Sequence, residues 1–403
     1  MNLLISIFYI LILGIAITGG KFVRYSILGI PVIYYCMGAL VVAYIPYLIK
    51  HRKELRLYKS ERNLIAFVMY GLFIALLSFL GVNEKLVQCR LLVTRAYIPR
   101  QAYYLFLLPA VLVFSETRLY EKAQYFFRKY RLELFWGIYF LRFLYARQIS
   151  LSVTTVFFLA YISLQGTSRF RYEYIMLAAI LFTPVATGGE ITNLIIRLLY
   201  LLYYVVRNKK IVITQLIVFG FSVMIAAMFV LPFFDSQFSN LLDVNSYWRL
   251  RYWHDELLQL VDSHFLGVGY GTAYATINFV GNTTNITSGP FSATKEYTTM
   301  DLLFVTGSHN SLISVSFRLG VIGIALFLSM LWMFYKEMRR NINSISKSSL
   351  FAFFSSIVVI SVNVGLESPY YLFLFLFALI CCDAEIKKSH QIVLRNYDQQ
   401  SGE

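Results

Sequence analysis

Apolar runs follow one another along almost the whole chain. They lie near 2–19, 26–49, 64–81, 102–115, 134–146, 150–164, 173–187, 191–206, 211–232, 311–334, 348–366 and 368–384. Nothing constrains the fold more strongly. A run close to 20 residues can cross a bilayer only if its backbone polar groups are satisfied inside the segment, which a helix does. A membrane β-barrel would show short segments alternating between apolar and polar instead, and the sequence has none. Of the 403 residues, 58% are hydrophobic and 14% charged, whereas soluble domains carry about 25% charge. The expectation is therefore an all-α integral membrane protein with about twelve transmembrane helices. Several runs are short for a perpendicular crossing, and 134–164 reads equally as two short spans or one long kinked one.

The formal net charge of +15 does not point to nucleic acid, because the basic residues cluster in short loops between spans. With twelve alternating spans, the loops 50–63, 115–133, 207–210 and 335–347 and the C-terminal tail share one side. By the positive-inside rule that side is the cytoplasm, with both termini in it. The first run lacks the basic n-region and small-residue cleavage site of a signal peptide and reads as the first span. The four cysteines are scattered, and adjacent Cys381 and Cys382 in a helix make no ordinary disulfide or metal site. No inverted repeat of transporter type is visible. The chain divides into about nine spans over 1–232, a long loop over 233–310, and C-terminal spans with a tail over 311–403. The loop lies outside and holds seven acidic residues against three basic ones, Arg249, Arg251 and Lys295. A loop of that length in a compact protein is usually functional.

Within the loop, 246–261 reads as a helix. Arg249 and Trp253 share one face, as do Arg251 and Asp255, and Trp248, Trp253, Leu257 and Leu260 suit a membrane surface. The stretch GVGYG then places glycines at 267, 269 and 271, where backbone can approach another surface closely. His309-Asn310 follows at the return to the membrane, with Gly320 and Gly323 further in. Each piece alone also fits an ordinary role: a surface helix, a turn, a capping histidine, close helix packing.

Together, Arg249…Trp253, the Gly-x-Gly turn and His309-Asn310-x9-Gly320-x-x-Gly323 resemble the O-antigen ligase / Wzy-type polysaccharide polymerase superfamily. Its topology of about twelve spans and one large periplasmic loop containing short helices is similar too. The resemblance implies a bacterial inner-membrane enzyme that moves an undecaprenyl-pyrophosphate-linked oligosaccharide onto a hydroxyl of another glycan. It implies no cofactor, no metal and no nucleotide sugar. In that chemistry His309 would be the general base, since histidine's ordinary pKa lies near neutral. Arg249 and Arg251 would hold the leaving pyrophosphate, with Asn310 and Arg318 completing the substrate site. The direct displacement would invert the anomeric centre, and no carboxylate pair of glycosidase type is well placed. One departure stands out. Where the superfamily often has a Ser-Arg pair at the outer end of a middle span, this chain has TPVATGGEITN, with Glu190 at the expected arginine. Arg147, Arg95 or Arg100 is then a candidate for that contact.

Arg142, Arg197 and Arg318 fall within spans, where a charge lines a cavity, makes a structural pair or snorkels. His254 and His264 read as solvated, and the sequons at Asn282 and Asn285 carry no meaning in a bacterium. The expected function is a polymerase of lipid-linked repeat units, with the bilayer itself and a chain-length regulator as further partners. The alternatives are an O-antigen ligase acting on lipid A-core, and a flippase or exporter, which would not need His309.

Overall fold

The computed structural model describes residues 2–18, 26–27, 30–51, 57–82, 91–166, 171–185, 190–205, 210–234, 244–276, 304, 309–363 and 365–401. The helices are α1 (Asn2–Thr18), α2 (Val32–His51), α3 (Lys59–Phe79), α4 (Ile98–Leu107), α5 (Ala110–Phe114), α6 (Thr117–Lys129) and α7 (Arg131–Ala146). They continue with α8 (Val153–Ser163), α9 (Arg171–Phe182), α10 (Glu190–Val205), α11 (Lys210–Val230), α12 (Val244–Asp262), α13 (Ser311–Arg340), α14 (Lys347–Val362) and α15 (Pro369–Ser401). The two-residue strands Ser26–Ile27 and Ile30–Pro31 pair antiparallel.

Each of the twelve apolar runs overlaps a helix, but four helical segments among the described residues are long and apolar enough to cross a membrane. These are Lys59–Phe79, Arg95–Phe114, Lys210–Phe234 and Ser311–Arg340. Several of the others are shorter. The eleven residues of α8 reach about 16 Å, half the hydrocarbon thickness. The 134–164 region resolves into two helices, divided where Arg147 takes a left-handed backbone (φ 52°) and ends α7. Two polar stretches are helical as well: amphipathic α6, in the basic loop 115–133, and the tail, which continues α15 to Ser401.

Burial sorts the helices. Every residue of α8 is buried, as is nearly all of α14 and of α15 from Tyr371 to Ile386. All three are apolar around their circumference, which suits a helix enclosed by others. By contrast α11 buries Ile213, Thr214, Ile217 and Met228 and exposes Leu216, Phe219 and Val223, a face fit for lipid. The long α13 lies along α3, α14 packs on α15 and α10, and α12 docks on α13. At one end of the bundle, charge pins the elements together. Lys387 of α15 reaches Glu61 of α3 at 2.8 Å and Asp383 at 2.7 Å, and Glu337 of α13 accepts from the Ser60 hydroxyl at 2.5 Å. The other end of α13 carries His309.

Candidate active site

Asn310 caps α13: its Oδ1 accepts the N–H groups of Leu312 and Ile313 at 3.0 and 3.3 Å, the usual duty of a side chain at that position. His309, just before it, is partly buried and holds a left-handed backbone at φ 59°. Burial, and then the positive charge of Arg249, pulls its imidazole pKa from 6.5 down to about 4. The ring is therefore neutral at physiological pH. Arg249 comes from α12, more than fifty residues earlier in the chain, and also lies within electrostatic reach of Tyr371 in α15. Leu257 and Leu260 of α12 bury against Ile313 of α13, with Trp253 packed alongside, and this brings the arginine to the histidine. Trp253, Leu257 and Leu260, expected on a membrane surface, thus pack against protein.

Ten residues beyond Asn310, α13 breaks at Gly320 (φ 69°, ψ −168°). The break frees helix carbonyls, and the glycine loop takes them: Val268 donates to Phe317 at 2.8 Å and Gly269 to Arg318 at 3.0 Å. The Tyr70 hydroxyl of α3 donates to the Leu319 carbonyl at 3.1 Å. In return the Val321 N–H donates to the Phe265 carbonyl at 3.0 Å. A Cβ on Gly267 would lie 2.4 Å from the Gly320 nitrogen, and one on Gly320 would lie 2.4 Å from the Phe265 oxygen. The two glycine motifs are the two halves of one contact.

Arg318 secures that contact. Its guanidinium is 1% exposed, donates to the Gly269 carbonyl at 3.2 Å, the Thr272 carbonyl at 2.8 Å and the Thr272 hydroxyl, and stacks 4.1 Å from the Tyr274 ring. Gln101 of α4 holds the same loop from the far side, accepting from the Gly271 N–H at 2.7 Å and donating to the Thr272 carbonyl at 3.1 Å. Below the loop, Glu367, between α14 and α15, accepts from the Ser314 hydroxyl at 2.5 Å and from the Tyr274 hydroxyl. Burial raises its pKa, and the charges of Arg318 and Arg100 work against that rise. Asp255 of α12 accepts from Thr276 N–H and hydroxyl, both at 3.1 Å, and burial raises its pKa too.

The structure thus brings His309, Asn310 and Arg249 together, with Arg318 and Glu367 beneath them. Arg251 lies over the Tyr247 ring at 5.9 Å. Glu190 is exposed at the start of α10, two residues from Thr192, which accepts from the Asn363 amide at 3.2 Å; the Asn363 carbonyl in turn receives the Ser311 hydroxyl at 3.2 Å. Glu190 therefore stands at the same end of the bundle as His309. Arg147, exposed at the end of α7, belongs to a helix packed mainly on α1 and α8, and the charge acting on His309 is Arg249's. Among the three arginines suggested as replacements at the Glu190 position, Arg100 is the one whose field reaches Glu367. Buried Arg142 binds the Ile17 carbonyl at the end of α1 and the Ser150 carbonyl in the turn before α8, and buried Arg197 binds the Leu181 and Thr183 carbonyls at the end of α9. Cations at helix C-termini oppose the dipole favourably. His254 rests against Phe233, and His264 is exposed in a left-handed turn. Asn282, Asn285 and Cys89 lie outside the described residues. Among the described residues no three His, Cys, Asp or Glu gather as a metal site would need.

Residues 175–328 match the O-antigen ligase family model. The superfamily resemblance carried by the motifs is borne out by that match. It takes in Glu190, Arg249, Arg251, His309, Asn310, Arg318 and both glycine motifs, and it ends before Glu367. A comparison with curated proteins found no match. Glu367 is the one member of the cluster that sequence reasoning missed. Its signal was available, since an acidic residue in the otherwise uncharged stretch VNVGLESPYYLF is a functional or paired group by default.

Proposed function

We propose that this chain is a glycosyltransferase of the bacterial inner membrane that extends polysaccharide from an undecaprenyl-pyrophosphate-linked donor. The observation that carries the reading is the meeting of His309 and Arg249 at the N-terminus of α13. A guanidinium and the positive end of a helix together favour an anion there, and the neutral imidazole beside them is a proton acceptor. The acceptor sugar hydroxyl loses its proton to His309 as its oxygen bonds to the anomeric carbon. The bond from that carbon to the pyrophosphate oxygen breaks, and the leaving electron pair stays on the pyrophosphate, held by Arg249 with Arg251 nearby. Attack opposite the leaving group inverts the anomeric centre. Arg318 and Glu367 act one layer below, keeping the glycine loop fixed to the broken helix.

The base is weak at a pKa of about 4, first because burial disfavours its charged form and second because Arg249 opposes another positive charge. A bound pyrophosphate cancels that opposition, so donor binding strengthens the base that activates the acceptor. The ligase reading, in which the same donor is passed to lipid A-core, is favoured by the match to the O-antigen ligase family; the GVGYG turn favours the polymerase. Purified protein in lipid nanodiscs, supplied with the native lipid-linked repeat unit, separates them. A ladder stepping by one repeat without added core means polymerase, and a single shift of added core means ligase. His309→Ala should erase either product at a normal protein level. Full chain extension by that variant would remove His309 from the chemistry.

A further inference from the structure

At the end of the bundle opposite His309 lies a cavity of about 930 Å³ between α6, α7, α11 and the start of α14. Five cationic side chains line it: Arg128, Lys129, Arg131, Lys210 and Lys347. Two carboxylates, Glu133 and Glu173, face them, and Glu173 is already committed to Arg131 at 3.2 Å. Cations thus outnumber carboxylates five to two among the described lining residues.

A second observation concerns groups that are buried. Arg131 is 8% exposed, and while one of its terminal nitrogens holds Glu173, the other, Nη1, has no acceptor. Gln165 is 7% exposed and lines the same cavity; its amide nitrogen donates to the Ser348 hydroxyl at 2.9 Å, and its Oε1 has no partner. Turning that amide over lets Ser348 donate to the oxygen and aims two more N–H donors at the cavity. Buried donors without acceptors are tolerated where a ligand supplies the acceptor. Gly166 makes the room: a Cβ there would fall 1.0 Å from Arg131 Nη1. A planar guanidinium with a free edge, ringed by lysines, matches the oxygens of a phosphate group.

We propose that this cavity binds a phosphate-bearing ligand, independently of the transfer reaction at His309. Arg131 and Gln165 contact the phosphate oxygens, and Lys129 and Lys347 supply the surrounding charge. An anionic lipid headgroup and a free phosphate both carry that chemistry. The charge pattern of the loops predicts this end to face the cytoplasm, where the leaflet is rich in anionic lipid.

The full chain in neutral detergent, examined by native mass spectrometry with phosphatidylglycerol and phosphatidylcholine in equal amounts, tests the proposal; inorganic pyrophosphate is titrated in parallel. The expected result is preferential retention of phosphatidylglycerol, weakened about thirtyfold at low salt in Lys129→Gln/Lys347→Gln, given the attraction one surface lysine exerts on an anionic headgroup. Pyrophosphate that binds at micromolar concentration and displaces the lipid supports the site and assigns it to a soluble phosphate. Pyrophosphate without effect assigns it to the headgroup. Gly166→Val, which expels the Arg131 guanidinium, should lose the preference by a separate route. Equal retention of the two lipids with no pyrophosphate binding overturns the proposal, as does an unchanged preference in the folded double-lysine variant.

Discussion

Replacing Gly320 by alanine tests the central structural claim, that a broken helix and a glycine loop form one unit. At φ 69° an L-side chain costs about 1–2 kcal/mol in backbone strain alone. Its Cβ would also lie 2.4–2.5 Å from the Phe265 oxygen and from the carbon and oxygen of Leu266, all backbone atoms that cannot swing aside. The loop must lift away, weakening the bonds from Val268, Gly269 and Val321, each worth about 1 kcal/mol net. The expected destabilisation is about 4 kcal/mol. Gly267→Ala disrupts the same contact from the other side. Once the loop has lifted the second change has little left to break, so the double variant should fall short of additivity by more than about 1 kcal/mol. Reversible denaturant unfolding in detergent micelles reads these values. Gly220→Ala in α11, where a Cβ meets nothing within 4 Å, is the control and should stay within about 1 kcal/mol of wild type. A Gly320→Ala protein as stable as the control, or strictly additive effects of the two substitutions, would refute the reasoning.

Three further outcomes are expected. Lys387→Met leaves the buried carboxylates of Glu61 and Asp383 facing each other without their shared cation and should cost about 3–5 kcal/mol; adding Glu61→Gln and Asp383→Asn should recover much of it, and no recovery in denaturant midpoints would count against the ion network. Glu367→Ala removes the acceptor for Ser314 and Tyr274 and should destabilise by about 1–3 kcal/mol. Glu367→Gln, which keeps an acceptor oxygen, should lose less, and equal losses in the two unfolding curves would refute the role. His309 has a pKa of about 4 folded against 6.5 unfolded, so between those pH values the unfolded chain binds the extra proton. Stability is then full above pH 6.5 and falls by about 3 kcal/mol as pH drops to 4; subtracting a His309→Gln titration of unfolding free energy from that of wild type should isolate this slope, and a flat difference would place the imidazole in water.

The helices were legible because each apolar run exceeds what a loop can carry, and each overlaps a helix. Their lengths were less legible. Hydropathy does not report where Arg147 turns left-handed to end α7, nor that α8 is an eleven-residue helix hidden inside the bundle. The head of the site was legible in kind, since His309 and Asn310 stand where an apolar run begins. The meaning of the glycines was not. Gly267 and Gly320 lie 53 positions apart, and each has an innocent local explanation; only contact in space shows that one exists for the other. Arg318, Arg142 and Arg197 teach the same lesson about charge. A guanidinium inside an apolar run announces a polar partner without naming it, and in all three cases the hydrogen bonds run chiefly to backbone carbonyls, which leave no trace in sequence.

That distinction bears on how the site divides its labour. Arg318 is deep, tied through Nη1 to the Gly269 and Thr272 carbonyls and stacked on Tyr274, so moving it would cost the loop its anchor; it fits a fixed part. Arg249 sits on a helix held to α13 by Leu257, Leu260 and Ile313, and its field falls on His309. Of the two, it is the arginine whose charge changes the chemistry of the base. In the proposed reaction a positive group beside the base is a disadvantage in the empty site, and a bound pyrophosphate would remove that penalty on the imidazolium as the acceptor's proton is transferred. Under that proposal, donor first and acceptor second is the order this electrostatics favours, and it would restrain the base from activating an acceptor before there is a donor to attack.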